Sequence, residues 1–144
     1  MKTKPCLTLV DANLMVAAAR GEAERNGWAV VIAVADDGGH LLALQRMDGC
    51  PPASAYIGPE KARAAALGRR ETKIYEEMIN AGRVSFLSVP VLQGMLEGGV
   101  PVIADGQVVG AIGVSGVKAG EDAQVARAGV AALEVSINAG KGPS

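Results

Sequence analysis

The alternation of apolar and polar positions is plainest between Glu97 and Gly116, EGGVPVIADGQVVGAIGVSG, where two apolar runs flank Asp105-Gly106. An Asp-Gly loop supplies the positive φ angles of a type I′ turn, whose twist matches that of the strands it joins. The pattern predicts one tight hairpin, with strands near 99–104 and 107–115. A two-residue loop sets the register, so Ala104 faces Gln107, Ile103 faces Val108, Val102 faces Val109 and Pro101 faces Gly110. Both faces are apolar and need cover, from helices of the same chain or from a second subunit. Pro101 has no N–H for a ladder and belongs at an edge or a non-bonding position. Gly110, Gly113 and Gly116 lie within the strand and do not open into a helix, unlike a dinucleotide-binding loop. Their missing side chains let another backbone, a helix or a ligand come close.

Upstream, Ala12, Met15, Val16, Ala19 and Ala23 recur at helical spacing between a Thr8/Asp11 capping box and an Asn26-Gly27 stop. Trp28 to Asp36 and His40 to Met47 read as strands of a first hairpin around the turn cluster Asp36 to Gly39. Pro51-Pro52 opens a loop with a short helical turn near Ala53 to Ile57, and Pro59 suits the first position of the helix EKARAAALGRR. Thr72 is placed to cap a further helix that Gly82 closes. The stretch from Arg83 to Gly94 has no clear period, and Val84 to Val91 is a candidate for a fifth strand that the pattern does not otherwise place. Glu121-Asp122 begin a last helix with Val125, Gly129, Ala132 and Leu133 inward, and the tail NAGKGPS should fray.

A chain of 144 residues with no dividing linker is one domain, 1–144, large enough for a core of its own. With 49% hydrophobic but 3% aromatic residues, that core is built from Ala, Val, Leu and Ile. The 14 basic and 15 acidic residues nearly cancel, which argues against nucleic acid as a partner and leaves little repulsion against self-association. MKTKPCLTLVDA lacks the apolar core of a signal peptide, and no apolar run is long enough to span a membrane. The expected place is the cytoplasm, with Cys6 and Cys50 reduced.

Helix, hairpin, paired helices, hairpin and helix make an α/β fold with a mainly antiparallel sheet. DDGGHLLALQRMDG, EKARAAALGRRET, and EGGVPVIADGQVVGAIGVSG followed by EDAQVARAG resemble, in order and spacing from about Leu7 to Leu133, the GlcG/HbpS-like family of small haem-binding proteins. The resemblance implies a profilin-like fold, with a five-stranded antiparallel sheet, helices on both faces, and assembly into dimers or octamers. It implies haem binding or degradation in some members. In others it implies a role beside catabolic enzymes, as in the C-terminal domain of PduO-type adenosyltransferases. Where the family motif has a Thr in K-A-x-T-A, this chain reads Lys61-Ala62-Arg63-Ala64-Ala65.

His40 is the single histidine, and imidazole is both the usual haem ligand and the usual general base near neutral pH. One histidine per chain means that a bis-histidine haem would need two subunits. Lys61 and Arg46 match family motif positions and suit the carboxylates of a substrate or of haem propionates, or else ion pairs with Asp48, Glu60 or Asp36. Glu76-Glu77 and Glu121-Asp122 could offer oxygen ligands to a hard cation, and Met47, Tyr56 and Tyr75 could line a haem pocket or simply fill core. The leading expectation is a haem-binding or haem-handling protein, with His40 on the iron and Lys61, Arg46, Gly113 and Gly116 around one shared pocket. The alternatives are a small-molecule lyase or isomerase, or an accessory protein of a catabolic operon, using the same residues on an anionic substrate, and a structural or sensory oligomer.

Overall fold

The computed structural model describes residues 1–141. Four strands, β1 (Val31–Asp36), β2 (Leu41–Arg46), β3 (Gly99–Ala104) and β4 (Gln107–Ser115), form one antiparallel sheet in the order β2-β1-β4-β3. Helices α1 (Leu9–Arg25) and α4 (Ala119–Gly140) cover one face, α2 (Ser54–Gly68) covers the other, and α3 (Thr72–Asn80) follows α2. The doubly apolar central strands are thereby covered within one subunit. Ile32, Val34, Ile112 and Val114 meet Met15, Val16, Val125 and Leu133 on the first face, while Ala33 and Ala35 meet Ala62 of α2 on the second.

The turn at Asp105-Gly106 forms as expected, with φ of +50° and +72°. Its first two pairs, Ala104 with Gln107 and Ile103 with Val108, also hold. Beyond them the register slips, so Val102 pairs with Gly110 and Pro101 with Ala111. The extra residue is Val109, a bulge that hydrophobicity cannot reveal because its neighbours are apolar too. Pro101 sits on β3, an edge strand, where a missing donor costs least.

The capping box of α1 is formed, with the Thr8 hydroxyl accepting the Asp11 N–H at 3.2 Å and Asp11 Oδ2 accepting the Thr8 N–H at 2.8 Å. Four expectations are corrected. The sheet has four strands rather than five, because Val84–Ser88 is a short 3₁₀ helix whose Phe86 ring packs 5.5 Å from that of Tyr75. Helix α2 starts at Ser54 and runs through Pro59, so the early turn and the helix are one element. Thr72 is the first residue of α3 rather than its cap; its buried hydroxyl accepts the Gly99 N–H at 2.8 Å and donates to the Leu96 carbonyl. The last helix begins two residues early, at Ala119, and stays helical to Gly140, while the end of the tail expected to fray, 142–144, lies outside the described residues.

Candidate functional site

His40 leaves the β1–β2 turn, whose shape is set by Asp36. Its Oδ1 accepts the N–H groups of Gly38 and His40, each at 2.9 Å, and lies 3.4 Å from His40 Nδ1. The imidazole side chain is 82% exposed and accessible from solvent.

Gly39 (φ +78°) brings this turn against α2, for a Cβ there would stand 2.8 Å from Arg63 Cγ and 3.3 Å from Leu67 Cγ. Lys4 pairs with Asp37 in the same turn. That hydrogen bond, aided by the Lys4 charge and the nearby Arg69, lowers the Asp37 carboxyl below its ordinary range against the opposing effect of burial. Lys4 and Arg69 also border a hollow of about 150 Å³ beside the β3–β4 turn. Arg63 thus packs under Gly39, while Lys4 and Arg69 lie beside Asp37 in the same turn, and none was singled out from the sequence. The signal lay in the helical spacing of Arg63 and Leu67 beyond Pro59, together with Gly68, which ends α2 and leaves Arg69 in the left-handed region at φ +56°.

The residues expected beside His40 are placed elsewhere. Arg46 ends β2, six residues and roughly 20 Å along the strand. There it lines a groove of about 450 Å³ with Arg20, Glu24, Gln45, Met47 and Asp48. Lys61 is buried. Its Nζ donates to the Val114 carbonyl at 2.9 Å and to Asp122 Oδ2 at 3.1 Å. Burial raises the Asp122 carboxyl above its ordinary range, opposed chiefly by the Lys61 charge and by the Val117 N–H. Asp122 falls three and four residues before Val125 and Ala126, on the inward stripe of α4, so helical period alone could have marked it as buried.

Gly113 and Gly116 are packing positions within the subunit. A Cβ on Gly113 would lie 2.2 Å from the Gly58 carbonyl oxygen and 2.4 Å from the Ala62 nitrogen. Gly116, at φ +149°, passes close to the Ala29 carbonyl and Cys50 Sγ. Tyr75 is buried, Met47 packs against the main core, and Tyr56 is exposed on α2. Of the acidic pairs, Glu76 accepts the Glu97 N–H and Glu121 the Lys118 N–H. Among the described residues no three His, Cys, Asp or Glu side chains gather as a metal site, and no helix is long and apolar enough to cross a membrane.

Comparison with known proteins adds four findings. The family described as haem degrading protein HbpS-like matches residues 7–131. Protein GlcG of Escherichia coli is 63% identical over 115 residues, 80% of this chain and 85% of that one. Among solved structures, a double mutant of Streptomyces reticuli HbpS superposes with a TM-score of 0.82 at 35% identity, covering 92% of this chain and 90% of the other. A PduOC complex with haem superposes with a TM-score of 0.81 at 25% identity, covering 89% and 95%.

Proposed function

The chain belongs to the HbpS-like family, and we propose that it is a haem-handling protein that holds the iron through His40. The observation that carries this reading is the exposed His40 imidazole, whose Nδ1 lies 3.4 Å from Asp36 Oδ1. An accessible imidazole beside a carboxylate is what a histidine ligand of haem requires. Bound haem would supply redox chemistry, while the chain supplies binding and orientation. Likeness to a fold that was solved with haem supports the choice of ligand. Because each subunit has one histidine, a second histidine ligand would have to come from His40 of another copy, and a homo-oligomer, dimer or octamer, fits this reading. The free thiols of Cys6 and Cys50 support a reducing compartment such as the cytoplasm.

Titration of purified protein with hemin tests the proposal. A saturable Soret band that weakens and shifts in His40→Ala is expected. A spectrum that His40→Ala leaves unchanged overturns the assignment of the ligand. The absence of saturable binding overturns the haem reading and returns the choice to a small anionic substrate.

A further inference from the structure

The motif Arg46-Met47-Asp48-Gly49 has no part in the reading of His40, from which Arg46 is separated by the length of β2. Its backbone is held at both ends. The Met47 N–H donates to the Val30 carbonyl at 3.0 Å, which carries the pairing of the edge strand one residue further, and the Cys50 N–H donates to the Met47 carbonyl at 3.3 Å. Gly49, at φ +84°, stands third in that turn, where a type II turn needs a positive φ. Met47 packs against the main core, while Arg46 and Asp48 on either side of it are exposed. Both line the groove of about 450 Å³ whose other wall is Arg20 and Glu24 of α1, a space of the size that small molecules occupy.

The charges of this groove are unevenly paired. Arg20 donates to Gln45 Oε1 at 2.7 Å and lies 3.5 Å from Glu24 Oε1, so α1 is tied to β2 and these two charges offset one another. Arg46 and Asp48 carry opposite charges two residues apart, yet among the described residues neither forms an ion pair, with the other or with any third group. A simple anion drawn to Arg46 would also meet Asp48 and Glu24, and a simple cation drawn to Asp48 would meet Arg46 and Arg20. A molecule with both charges a few bonds apart meets neither objection. We propose that the groove binds a small zwitterion of the α-amino-acid kind, with its carboxylate on the Arg46 guanidinium and its ammonium on the Asp48 carboxylate. Gln45 and the Arg20–Glu24 pair then face its side chain. The site is separate from His40 and does not depend on haem.

Calorimetric titration of the purified protein with each of the common amino acids at millimolar concentration tests this. At least one should give saturable heat. For that amino acid, the analogue without the amino group and the analogue without the carboxylate should each bind about tenfold more weakly, the size of one charge-assisted hydrogen bond. Arg46→Gln and Asp48→Asn should each cause a loss of the same size, and His40→Ala should cause none. The two analogues need no substitution, so that arm stands whatever a variant does to folding. A deaminated acid or a decarboxylated amine that binds as tightly as the amino acid overturns the proposal, because one charge then suffices. Binding that neither Arg46→Gln nor Asp48→Asn weakens places the ligand elsewhere and overturns it too, and loss in His40→Ala overturns the separateness of the site. If no amino acid binds, the zwitterion site falls; a lower mass of Arg46→Gln in light scattering would then assign these charges to contact with another copy of the chain.

Discussion

Lys61 on α2 and Asp122 on α4 meet at 3.1 Å in the interior, joining the two faces of the sheet past the end of β4. Each also holds a backbone group, the Val114 carbonyl and the Val117 N–H. A charge left without its partner in such a place is costly, by about 3–5 kcal/mol. Lys61→Met and Asp122→Leu are each expected to destabilise by that amount in denaturant titration. The double variant should recover about half or more, since no lone charge then remains buried. Two single losses that simply add would show that the residues do not act as a pair.

The same pair gives the fold a pH dependence with a definite sign. Burial raises the Asp122 carboxyl above its ordinary value of 3.8, so the folded state holds this proton more tightly than the unfolded chain. Its contribution is therefore fully present below about 3.8 and is lost as pH rises through the raised folded value. Relative to Asp122→Asn, which does not titrate, the unaltered protein should gain stability as pH falls through that window. Denaturation midpoints of both proteins between pH 7 and pH 4 measure the gap. A gap that narrows on acidification contradicts the sign.

Local pattern made most of the scaffold legible. The capping box at Thr8 and Asp11, the positive φ angles at Asp105-Gly106 and the inward stripe of α1 are written in neighbouring residues, and the structure has all three. What sequence could not supply was set by tertiary contact. The bulge at Val109 costs no apolar residue its burial pattern, and α2 runs on through Pro59 with the neighbouring Gly58 packed against Val31 and Gly113 of the sheet. The site divides the same way. His40 stood out as a lone histidine at a turn, but Lys61 looked like a ligand because its partner lies 61 residues away. Arg63 looked ordinary until Gly39 was seen to rest on it.

Gly113 is expected to be intolerant of any side chain. The Cβ of Gly113→Ala would stand 2.2–2.4 Å from backbone atoms of Gly58 and Ala62, and backbone cannot rotate away as a side-chain tip can. Overpacking of this kind should cost about 3 kcal/mol or more. Gly120→Ala on α4 has nothing within 4 Å and should instead stabilise by about 0.5 kcal/mol. Thermal melts of the two variants check the contrast. A Gly113→Ala protein as stable as the original would mean that α2 sits farther from β4.

The last prediction is assembly, and the structure changes its reason. The sequence offers the alanine and glycine faces of EKARAAALG and QVARAGVAAL as surfaces for another subunit, but Ala62, Ala65, Ala66, Val125, Ala126 and Gly129 are buried within the subunit itself. The unused apolar surface lies elsewhere. Leu41 and Leu44 stand on the open edge strand β2, while Ile74, Val84, Leu87, Val91 and Leu96 are exposed around α3 and the 3₁₀ helix. Exposed apolar surface gains on association in proportion to the area covered, at about 25 cal/mol per Å² before the entropy of association is subtracted. A net charge of −1 adds little repulsion against it. Multi-angle light scattering at micromolar concentration should therefore give at least twice 14.6 kDa. A mass of 14.6 kDa would defeat the prediction, and with it any haem shared between two His40 side chains, though not haem bound by one subunit alone.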